Sequence, residues 1–195
     1  MSSNVNRSND RRRRVTAGAA ALFERSGYHA ASMTSLAEAV GIAKPTLYHY
    51  FSGKNQILFS IHEEFINFLL EKYEARRGEA LSPTAELRAL IADTFELMDT
   101  HRGHVQIFFE NLRELSEQDQ LTIRAKRDRY QQIMESTIAR GVREGEFKQA
   151  DPRLTSLAVF GMCNWAYQWY TPGGKLSSAE IADTFFELLV DGLGA

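Results

Sequence analysis

The chain has 195 residues, of which 44% are hydrophobic, so it is long enough to bury a core in one or two modest domains. Its single cysteine, Cys163, excludes an intrachain disulfide and favours a reducing cytoplasm. Because Cys163 lies in an apolar stretch, we expect a buried side chain rather than a redox sensor. The polar N-terminus lacks the apolar core of a signal peptide, and no run approaches a membrane span. The sequence therefore predicts a cytoplasmic protein with no membrane partner.

The charges are divided unevenly along the chain, although the formal net charge is only −2. Residues 1–56 contain 8 Lys and Arg against 3 acidic residues, whereas the remainder contains 15 against 22. The N-terminal part can therefore face phosphate groups, while the rest of the chain repels them.

Apolar residues recur at intervals of three and four throughout the chain, and no strict alternation competes with them, which predicts an all-α protein of about nine helices. The arginine run Arg11–Arg14 opens the first helix, which ends near Gly27. Ser32 caps a short second helix that Gly41 ends. The third helix begins at Pro45 and extends to Phe51. These elements predict a three-helix DNA-binding bundle over residues 1–55.

Residues 56–195 are predicted to form a larger helical domain. Its first helix begins after Lys54 and extends to about Arg77. The predicted helices that follow are Thr84–His101, a short helix through Val105 and Leu112, Glu117–Glu144, a helix opened by Asp151 and Pro152, and a last helix with the capping-box spacing of Ser177 and Glu180.

The segment Ser32–Lys54 predicts the function, because two short helices joined by a glycine turn form a unit whose second helix fits the DNA major groove. The polar side chains on one face of that helix are predicted to contact bases, and neighbouring residues to contact phosphates. The arginine run adds a sequence-independent contact with phosphate. The predicted DNA-binding residues are Arg13, Thr34, Lys44, Pro45, Thr46, Tyr48, His49, Tyr50 and Lys54.

Residues 10–60 resemble the DNA-binding domain of the TetR family of repressors. The matching positions are Gly27-Tyr28, Leu36-Ala37, Gly41-Ile42, Thr46-Leu47-Tyr48-His49-Tyr50-Phe51 and Lys54. The resemblance implies a homodimer formed by the last two helices, here Asp151–Tyr170 and Ser177–Leu193. It implies that two recognition helices bind a palindromic operator in double-stranded DNA, about 34 to 36 Å apart. A repressor is the family's default, and an activator is left open.

The resemblance also assigns ligand binding and dimerisation to residues 56–195, and it implies a small hydrophobic effector and no required cofactor. Residues 161–174 are similar to the penultimate helix of family members that respond to acyl-CoA thioesters, and that effector is expected to compete with DNA. The residues predicted to line its pocket are Phe95, Phe108, Phe109, Tyr130, Asn164, Trp165 and Trp169. Aromatic residues at helical spacing can equally form core, and Asn164 can equally cap a neighbouring helix.

Other functions find less support in the sequence. No phosphate-binding glycine loop, HExxH or GxSxG motif is present, so we expect no enzyme. His101 and His104, taken with His62-Glu63, form only a weak metal-binding pattern, because no Cys or carboxylate completes a convincing set of ligands. The charges at Arg124–Arg129 indicate a solvated helix face or a site for an anionic ligand group. A protein that binds anionic lipid through its basic N-terminus is the remaining alternative, but it does not explain the turn at Gly41.

Overall fold

The computed structural model describes residues 2–193, without the side chains of residues 2–9, 102 and 193. Within that range the chain forms nine α-helices and no strand, as the sequence predicted. The helices are α1 (Ser2–Ser26), α2 (Met33–Val40), α3 (Lys44–Tyr50), α4 (Lys54–Arg76), α5 (Pro83–Thr100), α6 (Arg102–Glu110), α7 (Glu117–Glu144), α8 (Pro152–Trp165) and α9 (Ser178–Leu193). Short 3-10 helices follow α6 at Leu112–Glu114 and α8 at Ala166–Gln168.

The start of α1 differs from the prediction. The helix begins at Ser2 rather than at the arginine run, so Arg11–Arg14 lies in the interior of the helix. The preceding segment contains Ser and Asn, which have modest helix propensity, but no Gly or Pro that would end a helix. Helix formation therefore continues toward the N-terminus from the apolar part of α1.

Most predicted helix ends agree with the structure within one or two residues. Asp151 caps α8 through a hydrogen bond from the Leu154 amide to its carboxylate, at 2.7 Å. The Glu180 carboxylate accepts a hydrogen bond from the Ser177 amide at 2.8 Å, while the Glu180 amide donates to the Ser177 hydroxyl. Both predicted caps are therefore confirmed. The predicted helix through Leu112 is instead split into α6 and a 3-10 turn.

The described chain divides into two compact units. The first unit contains the chain up to Phe65 together with His101–Ile123, and the second contains Ile66–Thr100 and the chain from Arg124 onward. The helices α4 and α7 each contribute residues to both units. The domain boundary predicted between residues 55 and 56 stays a prediction.

In the first unit, α1 packs against α2 and α6 around fully buried apolar residues. Gly103 of α6 lies so close to α1 that a Cβ atom there would come within 3.0 Å of the Ala20 carbonyl carbon. The Phe65 and Phe108 rings are stacked, with their centroids 3.8 Å apart. This packing fixes the bundle that carries α2 and α3.

In the second unit, α5 packs mainly against α9 and also against α8. Phe95 lies edge-on to Phe185, with 5.3 Å between ring centroids. The Asp99 carboxylate accepts hydrogen bonds from the Tyr170 and Ser178 hydroxyl groups. A partly buried ion pair joins Arg76 to Asp93, with 3.1 Å between Nη1 and Oδ1. These contacts order the unit around a mixed apolar and polar core.

Within residues 2–193 no helix is both long enough and apolar enough to cross a membrane. Among the same residues no three His, Cys, Asp or Glu side chains are grouped so that they could hold a metal ion. His104 instead lies 3.3 Å from the Glu64 carboxylate, within the first unit.

Candidate nucleic-acid interface

The local sequence fixes both ends of α2. The Ser32 hydroxyl accepts a hydrogen bond from the Ser35 amide at 3.1 Å, and the Ser32 amide donates to the Ser35 hydroxyl at 2.9 Å. At the other end Gly41 has φ 70°, a left-handed conformation that glycine adopts at little cost. The predicted N-cap and glycine turn are both confirmed. The turn leads directly into α3.

Helix α3 has one buried face and one exposed face. Leu47 and Phe51 are completely buried and hold the helix against the bundle, as the sequence predicted. Pro45 occupies the first turn, where its missing amide proton leaves no hydrogen bond unmade. The exposed residues of the helix are Lys44, Pro45, Thr46, Tyr48 and His49, and Tyr50 is half-buried. The structure therefore brings most of the predicted DNA-binding residues onto one short helix.

The arginines near the start of the described side chains have different environments. Arg12 points into the bundle, where its Nη1 donates to the Tyr50 carbonyl oxygen at 2.9 Å and its Nη2 to the Ser60 hydroxyl at 3.1 Å. Its guanidinium carbon also lies 4.4 Å from the centre of the Phe51 ring. Arg11, Arg13 and Arg14 are exposed. Arg12 therefore fixes the end of α3, whereas its neighbours face solvent.

Sequence reasoning missed this role of Arg12, although the spacing contained a signal for it. Arg12 is three residues before Val15 and four before Thr16, both of which are buried. Residues three and four apart share a helix face, so Arg12 lies on the inward face of α1. The carbonyl groups at a helix end lack intrahelical partners, and a cation there is favourable.

Lys54 makes contacts within the protein. Its ammonium group donates to the Tyr28 carbonyl at 2.8 Å and to the Ala31 carbonyl at 2.9 Å, and it lies 4.3 Å from the Tyr28 ring centre. Lys54 thus holds the loop before α2 against the start of α4. The same ammonium group would have to contact a DNA phosphate in addition to these carbonyl groups. The phosphate contact of Lys54 stays a prediction. Thr34 is exposed in the first turn of α2.

The residues predicted to bind an effector are distributed over both units. Phe108 and Phe109 lie in the first unit, where they contact Phe65. The others belong to the second unit, in which Phe95 and Tyr130 are buried and Asn164 is half-buried. Trp165 and Trp169 are 64% and 49% exposed. The assignment of these side chains to an effector pocket stays a prediction.

The fold and this surface together define a class of protein. A short helix, a left-handed glycine turn and a second helix with an exposed polar face form a helix-turn-helix, presented by a bundle with an excess of positive charge. The chain is therefore a helix-turn-helix transcriptional regulator that binds DNA.

Comparison with known proteins identifies the family. Residues 15–61 match the family model "Bacterial regulatory proteins, tetR family", and residues 80–193 match "Tetracyclin repressor-like, C-terminal domain". The chain therefore belongs to the TetR family of bacterial regulatory proteins.

Three similar proteins illustrate the relationship. The HTH-type transcriptional repressor KstR2 of Rhodococcus jostii is 26% identical over 91% of this chain and 88% of its own. The crystal structure of PfmR from Thermus thermophilus has 30% identity, a TM-score of 0.85, and coverage of 93% of this chain and 99% of that one. AibR, solved in complex with isovaleryl coenzyme A and operator DNA, has 27% identity, a TM-score of 0.81, and coverage of 92% and 98%.

Proposed function

We propose that the chain is a homodimeric repressor that reads a palindromic operator through α3 and is released from it by a hydrophobic acyl-CoA thioester. The observation that carries the proposal is the division of α3 into two faces. Leu47 and Phe51 anchor the helix, so the opposite polar face projects as one unit into a major groove.

Each predicted DNA contact has a role in this proposal. Lys44, Thr46, Tyr48 and His49 contact base edges or the groove, and Pro45 sets the first turn of α3. Thr34, Tyr50 and Lys54 contact phosphates, together with Arg13 on α1. The DNA-binding domain comprises residues 1–55 and the effector and dimer domain residues 56–195. The protein acts in the cytoplasm and has no catalytic role.

The proposed dimer rests on a second apolar face of α8. Val159 and Cys163 are buried on one face, yet Leu154 and Leu157 are exposed on the other, three residues apart. On α9, Leu188 is 62% exposed. A helix that is apolar on both faces needs a partner on each, and a second copy of α8 and α9 completes a four-helix bundle.

The dimer is tested with Leu188→Asp. A buried charge at a symmetric interface is costly, so we expect light scattering to give the mass of a monomer. Leu121→Asp is the matched control, because Leu121 is 60% exposed on α7. Phe185 is a poorer position for this test, since it packs against Phe95 inside the protomer. A dimeric Leu188→Asp variant would place the interface elsewhere.

The effector class draws support from similar proteins rather than from a bound molecule. AibR was crystallised with isovaleryl coenzyme A and operator DNA together, so it supports the effector class and not the release from DNA, and its fold matches this chain over nearly its whole length. The aromatic residues of the second unit provide apolar contact area for an acyl chain. Trp165, Trp169 and Asn164 are the effector contacts proposed on and just after α8.

The deciding experiment measures fluorescence anisotropy of DNA from upstream of the gene, with a salt series and a panel of acyl-CoA thioesters. We expect saturable binding that is specific over competitor DNA, weakens steeply with salt and is reversed by one thioester. Specific binding without reversal by any thioester would refute the effector class alone. An effector that binds the protein–DNA complex without releasing it would refute competition but keep the effector class.

The variant Tyr48→Ala separates reading of DNA from assembly. Tyr48 is 48% exposed on α3, so its truncation removes a groove contact without opening a cavity. We expect loss of operator binding with unchanged dimer mass and unchanged thioester affinity. A variant that is monomeric would contradict the separation of the two functions.

A further inference from the structure

A cleft of about 410 Å³ lies in the first unit between α1, the turn after α2 and α3. Its floor is apolar and includes Val15 and Ile42. Its rim is polar and consists of Arg11 and Arg14 from α1 and of Thr46 and Tyr50 from α3. This volume falls within the range of pockets that hold small organic molecules. The cleft therefore has room for an organic group as well as a phosphate.

The rim of the cleft is cationic. Arg11 and Arg14 are three residues apart on α1, so they project from the same face, and both are exposed. The Tyr50 side chain raises the pKa of Arg11, principally through a hydrogen bond. No Asp or Glu is among the residues that line the cleft, all of which the structure describes. The cleft therefore favours an anion at its rim.

The cleft runs beside the recognition helix. Thr46 and Tyr50 are four residues apart on α3 and therefore share the helix face that borders the cleft. When α3 enters a major groove, a sugar–phosphate strand borders the groove on each side of the helix. An apolar floor beneath a cationic rim matches a deoxyribose that carries a phosphodiester.

We propose that this cleft binds one sugar–phosphate unit of the DNA strand next to α3, with Arg11 and Arg14 paired to its phosphate. The proposal rests on the proposed reading of DNA by α3 and adds a phosphate site formed by α1. It assigns different roles within the arginine run, because Arg12 points inward and Arg13 does not line the cleft.

The first test is the salt dependence of binding to a short mixed-sequence duplex, which requires no knowledge of the operator. The slope of log K against log salt becomes shallower by about 0.9 for each DNA phosphate that the protein no longer neutralises. We expect a decrease of about 1.8 for the double variant Arg11→Gln/Arg14→Gln, because each of the two protomers of the proposed dimer loses one phosphate contact. Arg25→Gln is the matched control, since Arg25 is an exposed arginine of the same helix outside the cleft.

The second test locates the phosphate. In the footprinted upstream fragment, single phosphates are replaced by neutral methylphosphonates, and affinity is measured by anisotropy. We expect one phosphate position in each half-site at which the methylphosphonate lowers the affinity of the wild type about tenfold or more. At that position the affinity of the double variant should not fall further, because the variant already lacks the arginines that pair with this phosphate.

The outcomes separate this site from the proposed function. Specific operator binding with an unchanged salt slope in the double variant would overturn the cleft and leave the reading of DNA by α3 intact. Equal losses of DNA affinity for the wild type and the double variant at every methylphosphonate would also overturn the cleft and leave the reading of DNA by α3 intact. A wild type that binds no DNA specifically would overturn both proposals. Circular dichroism checks that the double variant retains its helices.

Discussion

At the scale of single residues, the four consecutive arginines show that identical neighbouring residues can have different roles. Arg12 joins α1 to the end of α3 and to Ser60 of α4, whereas Arg11 and Arg14 line an open cleft. A planar guanidinium directs two separate nitrogens at two acceptors in a fixed fork while its face lies over a ring, a geometry that the single nitrogen of an ammonium does not reproduce. Arg12 is therefore a positioning residue for the recognition helix.

The variant Arg12→Lys tests this positioning role. Lysine keeps the charge, but its single nitrogen replaces the two separate nitrogens with which Arg12 reaches the Tyr50 carbonyl and the Ser60 hydroxyl beside the Phe51 ring. We expect operator affinity to fall about tenfold, which corresponds to about 1.4 kcal/mol, while the salt slope on mixed-sequence DNA stays unchanged. A reduced salt slope would instead make Arg12 a phosphate contact. Thermal unfolding of the variant serves as the stability control.

Cys163 gives a second prediction at this scale. Burial raises the pKa of its thiol to about 12, so at pH 8 only about one thiol in ten thousand is ionised. We expect no measurable reaction with Ellman's reagent in the native protein and one equivalent in guanidinium chloride. Because Cys163 is the chain's single cysteine, any labelling reports on it alone. Rapid native labelling would show that the α8 packing opens readily.

At the scale of elements, the packing of the C-terminal end of α7 requires a glycine, because an aromatic ring fills the space where a side chain would lie. A Cβ atom at Gly141 would lie 2.1 Å from Cδ2 of Phe147, too close for any real contact. Glycine normally weakens a helix, and this position instead requires it. The chain thus returns over its own helix after Gly145, which has φ 77°.

We expect Gly141→Ala to destabilise the protein by about 1–3 kcal/mol, because Phe147 must move out of the core. Gly192→Ala on α9 is the matched control, since nothing lies within 4 Å of its added Cβ atom. There we expect no loss of stability. Urea unfolding followed by circular dichroism measures both. Equal stability of the two variants would mean that Phe147 has an alternative position at no cost.

At the scale of the whole molecule, reading a palindrome requires two copies of α3, and therefore the proposed interface of α8 and α9. Linking two binding modules raises the overall affinity by roughly 10² to 10⁴ over a single one. The exposed apolar residues of α8 would thus determine DNA affinity without touching DNA.

We therefore expect the Leu188→Asp monomer to bind the complete operator no more tightly than a half-site, a loss of about a hundredfold or more. The Leu121→Asp control should keep the full preference for the palindrome. Anisotropy with the operator and with one half-site scrambled gives both values. A monomer that still prefers the palindrome would show that the recognition helices act independently of this interface.

The sequence alone determined the type and approximate number of the helices, several of their caps and the exposed polar face of α3. These features depend on local chemistry: Ser32 and Asp151 satisfy free amides, Gly41 takes a left-handed turn, and Leu47 with Phe51 marks the inward face of α3. Each signal lies within a few residues of the element it shapes, so no tertiary information is needed to interpret it.

Only the tertiary structure determined the partners that give like residues different roles. Helical spacing places Arg12 on the inward face of α1, but its pairing with Tyr50 and Ser60 follows only from their positions in space. The aromatic residues predicted to form one pocket divide between buried rings such as Phe95 and exposed ones such as Trp165. Such differences depend on contacts between residues distant in sequence, whose pairing is set by how helices pack rather than by periodicity within any one helix.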